Sequence, residues 1–116
     1  MDMIFNIKES ILVAELFGEL DHHAAQKVRE DIDSTMETYD VSDLVFDFNK
    51  VSFMDSSGIG VILGRYRKLT PRGGRVVISC CSVSIRNILN MAGVFSIIDY
   101  FDKREDAISF LSKEKV

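Results

Sequence analysis

The residues best able to do chemistry lie in one run, Phe53-Met54-Asp55-Ser56-Ser57-Gly58-Ile59-Gly60, between an apolar strand pattern and a helical one. Asp55 is of the residue type that caps a helix N-terminus, where a carboxylate accepts the first free amides. Ser56 and Ser57 then stand in the partly positive field of the helix start. A glycine-rich nucleotide fingerprint fails on spacing: after Gly58-x-Gly60 its third glycine should fall where Leu63 stands, and Gly64 comes one residue late. No P-loop lysine follows. A serine nucleophile fails on context, because the elbow pattern needs glycine two residues before the serine, where Met54 and Asp55 stand. A triad would have to recruit His22 or His23, for which solvated positions after Asp21 are the simpler explanation. The residues alone then leave two readings open. The serines merely begin a capped helix, or one of them is modified or contacted.

The second reading is physically sufficient for a switch. A phosphate at a helix start is favoured by ~0.3–1 kcal/mol, so modification there does not unfold the domain. It adds a charge of roughly −1.5 to −2 beside Asp55. Facing a carboxylate across an interface at ~6 Å, that charge costs about 1 to 5 kcal/mol. Each ~1.4 kcal/mol is tenfold in affinity, so repulsion alone can end a complex. Physics does not choose between Ser56 and Ser57, since both fall in the first helical turn.

The elements that must position this run follow from composition and period. The 116 residues, 47% hydrophobic and 28% charged, suit one globular domain that needs no disulfide or metal staple. Fourteen Lys and Arg against eighteen Asp and Glu, with no basic cluster, argue against direct nucleic-acid binding. No apolar run approaches the ~20 residues of a membrane helix, and the N-terminus lacks a signal-peptide pattern, so a cytoplasmic protein without membrane contact is expected. Cys80 and Cys81 are adjacent in a run that reads as a strand, where neighbours point to opposite faces, so they are read as structural thiols rather than a disulfide or metal pair.

Met3–Lys8 and Ile11–Phe17 read as a hairpin, with Gly18 ending its second strand. Asp21 caps a helix with Ala25, Val28, Ile32 and Met36 inward. Leu44, Phe46 and Phe48 alternate with Val45, Asp47 and Asn49 as a strand with one apolar and one mixed face. A helix over Ile59–Leu69 stops at Pro71-Arg72-Gly73-Gly74, and Val76–Cys80 forms the next strand. Ser82 caps a short helix closed by Gly93, Ile97–Phe101 is a short strand, and Asp102 with Glu105 reads as a capping box before a last helix carrying Ala107, Ile108 and Leu111. The order ββαβαβα(β)α predicts an α/β fold: one domain with a mixed four- to five-stranded sheet and about four helices packed mainly on one face.

Gly18-Glu19-Leu20-Asp21-His22-His23, the run from Phe53 to Tyr66, the Gly73-Gly74 turn and Met91-Ala92-Gly93-Val94 resemble the anti-sigma factor antagonists of the STAS family, in the same order over nearly the whole chain. The resemblance implies a single STAS domain over residues 1–116 and a binding protein rather than an enzyme, with no cofactor or metal. Its partners would be an anti-sigma factor that is also a serine kinase, and a serine phosphatase. The unphosphorylated form would bind the kinase and release its sigma factor, sporulation sigma F being favoured and a general stress-response switch the alternative. By the same resemblance Ser56 is the phosphorylated residue, with Ser57 its rival. Asp21, Asp55, Ser57, Gly58 and Ile59 would contact the partner.

Overall fold

A computed structural model describes residues 1–114, so the end of the domain expected over 1–116 lies outside the described residues. The elements run β1 (Asp2–Lys8), β2 (Ile11–Leu20), α1 (His22–Thr38), β3 (Asp43–Met54), α2 (Ser56–Leu69), a 3-10 turn (Thr70–Arg72), β4 (Val76–Ser79), α3 (Val83–Met91), a second 3-10 turn (Val94–Ser96), β5 (Asp99–Phe101) and α4 (Arg104–Glu114). The five strands lie in chain order; β1 is antiparallel to β2, and every later pair is parallel.

That order places the helices. Parallel strands added stepwise in one direction need right-handed crossovers that all fall on one face. Accordingly α1, α2 and α3 bury Val28, Ile32, Met36, Ile62, Leu69, Ile85 and Leu89 in one core with Leu12, Leu16, Leu44, Phe46, Phe48 and Ile78 of the sheet. The rings of Phe46 and Phe48 stack there, 5.3 Å apart. Among the described residues α4 alone covers the other face, where Ala107 and Leu111 close over Ile11, Val13, Val45 and Val77. A sheet buried on both sides explains why Val45 and Asp47, on the mixed face of β3, are inaccessible.

The strand expected over Ile97–Phe101 begins only at Asp99, after the second 3-10 turn, and four further details differ from the sequence reading. Gly18 does not end β2: at φ +105° it sits at a register shift, and pairing with β3 continues through Glu19 to Leu20. β3 runs on to Met54, twelve residues in all, because β2 pairs with it along that length. β4 stops at Ser79, and Cys80 turns out of the strand at φ +64°, so the adjacent cysteines lie in a loop and remain free thiols. Asp102 does not box the last helix; Ala107 N–H donates to the Lys103 carbonyl, which starts the helix one residue later, and Asp102 instead meets Arg86 at 3.4 Å. Asp21, Asp55 and Ser82 cap their helices as read.

Candidate partner site at two helix starts

The register Leu20↔Met54 decides the geometry of the site. The residues that follow, Asp21 and Asp55, leave the ends of neighbouring parallel strands. Each caps the helix that follows, and their backbones are nearly superposable, at φ −109°, ψ −173° and φ −111°, ψ −170°. Asp21 Oδ1 accepts from Ala24 N–H at 3.0 Å. Asp55 Oδ1 accepts from Ser57 N–H at 2.9 Å and Gly58 N–H at 3.4 Å. Two partly positive helix ends thus stand together, each met by a carboxylate.

The second oxygen of Asp55 reaches across. Asp55 Oδ2 accepts the backbone N–H of His22, the first residue of α1, at 3.2 Å. The imidazole of the same histidine lies at the other side of the turn, with Nδ1 3.5 Å from Ser57 Oγ. The sequence reading gives His22 a solvated position after Asp21 and no contact with the serine run. It is exposed, yet both its backbone and its ring face the first turn of α2. No spacing could have shown this, because the contact spans 33 residues and depends on the strand register.

The two serines separate on this geometry. Ser57 is half-buried with its hydroxyl turned to His22. Ser56 is exposed at the first helical position, and its hydroxyl has no hydrogen-bond partner among the described residues. Gly58 is fully buried where a Cβ would lie 2.7 Å from the Leu20 carbonyl oxygen and 2.6 Å from Met54 Cγ. Its glycine is therefore what lets α2 approach the ends of β2 and β3. Ile59 is half-buried beside it, and Gly60 is exposed, with open space where its Cβ would stand. Gly60 lines a cleft of about 470 Å³ between α1 and α2, together with His22, Arg29 and Ser57.

Elsewhere several buried or half-buried polar groups serve the fold. Asp47, 2% exposed, accepts from Asn49 N–H and takes the Arg104 guanidinium at 2.6 Å, while Glu15 holds the same guanidinium at 3.1 Å. Arg65 of α2, almost buried, reaches Asp33 of α1 at 2.9 Å, and burial lowers its pKa from the usual arginine value. Burial also pushes the Cys81 thiol up to about 12 and raises that of Cys80. Among the described residues no group of three His, Cys, Asp or Glu is placed to hold a metal ion, and no helix is long and apolar enough to cross a membrane.

Residues 2–107 match the family described as STAS domain. The chain belongs to the STAS domain family. A relative named anti-sigma F factor antagonist, from Paenibacillus polymyxa, is 35% identical to this STAS protein over 101 residues, 87% of this chain and 86% of the relative. Two solved structures have the same fold. One is the anti-sigma factor antagonist SpoIIAA in its unphosphorylated form, 31% identical, with a TM-score of 0.75 over 96% of this chain and 98% of that one. The other is the Bacillus cell fate determinant SpoIIAA in the phosphorylated form, 32% identical, with a TM-score of 0.74 over 95% and 99%. This STAS domain therefore resembles both the phosphorylated and the unphosphorylated form of one regulator to the same degree.

Proposed function

We infer that this STAS domain is the antagonist in a sigma-factor partner switch, acting as ligand and substrate rather than as catalyst. In its unphosphorylated form it binds an anti-sigma factor serine kinase in the cytoplasm and frees the sigma factor, sigma F. ATP-dependent transfer of a phosphoryl group to Ser56 ends that binding, and a serine phosphatase restores it. The nucleotide site belongs to the partner.

One observation carries this reading: the exposed hydroxyl of Ser56 at the first position of α2, without a hydrogen-bond partner among the described residues and next to the cap Asp55, with Asp21 capping the neighbouring helix. Asp21 and Asp55, with Ser57 and Ile59, form the surrounding contact surface in this proposal, while Gly58, buried against Leu20 and Met54, shapes that surface from beneath instead of touching the partner. A phosphate on Ser56 would still be favoured by the helix start, by ~0.3–1 kcal/mol. Toward a partner that accepts the two aspartates, however, it adds nearly two negative charges to the same small area. Binding is lost without refolding.

The test is mass analysis of the intact chain and its fragments after incubation with ATP, alone and with an anti-sigma F serine kinase. One phosphate on Ser56 that appears only with the kinase is the expected result. No phosphate, under conditions where the kinase modifies a known antagonist, would return Ser56 to a plain helix start. Phosphate transfer by a general-stress anti-sigma kinase alone would keep the switch and change the sigma factor.

A further inference from the structure

We propose that Asp55 is a positioning residue: its carboxylate clasps the starts of α1 and α2 together, so that Asp21 and Ser56 are presented to the kinase as one rigid surface. The inference rests on the reading of Ser56 as the phosphoacceptor and gives Asp55 a part in it different from direct contact. Both oxygens of this carboxylate are already taken by backbone N–H groups, of Ser57 and Gly58 on one side and of His22 on the other. An ordinary N-cap serves only its own helix. Asp21, whose backbone is nearly the same, does so, and among the described residues its carboxylate accepts only from Ala24 N–H. The bond from Asp55 to His22 is thus additional to capping. It joins the residue just before Ser56 to the residue just after Asp21.

The surroundings agree with a fixed joint. Leu20 and Met54 precede the two aspartates as register partners, and Gly58 brings the first turn of α2 against both of them with no room for a Cβ. Ser57 Oγ and the His22 ring lie across the same seam. Farther along, Arg65 of α2 meets Asp33 of α1, so the two helices are tied at a second level. Ser57 thereby faces the His22 ring, and Ser56 is the hydroxyl left toward a partner.

Asp55→Asn separates the clasp from the cap. Asparagine caps a helix as well as aspartate, so one oxygen still serves Ser57 and Gly58. The other oxygen becomes an NH2 group, which cannot accept from His22 N–H. In the free Asp55→Asn protein the His22 amide should exchange with solvent about tenfold faster while the Ser57 and Gly58 amides keep their protection. With the kinase, KM for the variant should rise about fivefold, the worth of one hydrogen bond, with kcat little changed. Loss of the negative charge alone could also raise KM, so a cycle with Asp21→Asn decides. If the clasp positions Asp21, the Asp21→Asn effect shrinks in the Asp55→Asn background; if both aspartates contact the kinase independently, the two effects multiply.

Unchanged His22 exchange together with multiplying effects would overturn the clasp while leaving phosphorylation of Ser56 intact. A parent protein that accepts no phosphate at Ser56 would overturn the underlying reading and the inference with it.

Discussion

The carboxylate of Asp55 accepts the backbone N–H of His22 at 3.2 Å, across 33 residues of sequence, and so joins two helices that leave neighbouring strands. Replacement by alanine removes this bond and the cap together. The cap contributes about 1 kcal/mol. The hydrogen bond to His22 contributes about 1 kcal/mol more. Asp55→Ala should therefore lower stability by about 2 kcal/mol, and Asp21→Ala, which loses only a cap, by about half as much. Urea unfolding checks this as a lower midpoint at unchanged slope for both variants.

Identical substitutions in α2 should have opposite signs. At Gly58 a methyl group would meet the Leu20 carbonyl oxygen and Met54 Cγ, and the backbone oxygen cannot rotate away. Gly58→Ala should cost about 1 to 3 kcal/mol through overpacking. At Gly60 and Gly64 nothing lies within 4 Å of an added Cβ. There alanine should raise stability by about 0.5–1 kcal/mol, because glycine is the poorer helix former. Thermal unfolding of the three variants compares them directly.

The sequence and the structure agree where local chemistry decides and part where register does. The caps at Asp21, Asp55 and Ser82 and the inward faces of the helices were legible, since each is a pattern within a few residues. The continuation of β2 through Gly18 was not, because glycine there marks a register shift whose pairing lies on β3. The same register sets His22 against Asp55 and turns the Ser57 hydroxyl toward the His22 ring, which is why the residues alone could not rank the two serines. Asp102 matched the pattern of a capping box but meets Arg86, a contact 16 residues away that no local spacing encodes.

Arg104 should prove more valuable than its partly exposed position suggests. Its guanidinium, 29% exposed, is held by Glu15 and by Asp47, whose side chain is 3% exposed. Arg104→Leu would leave the Asp47 charge buried with the Asn49 N–H as its remaining bond. Breaking a fully buried pair costs about 3–5 kcal/mol; the partial exposure of Arg104 brings the expectation to about 2–3 kcal/mol. Asp47→Asn added to Arg104→Leu should recover part of the loss, since the stranded charge is then gone. Denaturant unfolding of the single and double variants measures that recovery.

The cysteines should react slowly in the folded protein. Burial pushes the Cys81 thiol up to about 12, and that of Cys80 is raised for the same reason. Alkylation needs the thiolate, so at pH 7–8 it should be much slower in the native chain than in urea, and should accelerate steadily as pH rises toward the Cys81 value. Mass mapping after timed iodoacetamide treatment reads both sites. Native Cys81 labelled at pH 8 as fast as the unfolded chain would contradict its burial.

Ser56 offers the most direct test of switching by charge. Ser56→Ala removes the acceptor and adds no charge, so it should bind the anti-sigma kinase like the unphosphorylated parent and stay bound in ATP. Ser56→Asp adds one charge where phosphate adds nearly two, so it should weaken binding by about tenfold, and phosphorylation by more. The mechanism is repulsion at an interface, with the helix start itself favouring the new anion. Amide shifts on phosphorylation should therefore stay within residues 53–66 and, through the Asp55–His22 bond, the first turn of α1. Calorimetric affinities for the two variants, with an amide spectrum of each protein form, test both halves. Binding of Ser56→Asp at parental strength, or shifts spread across the sheet, would mean that the switch works by some change other than local charge.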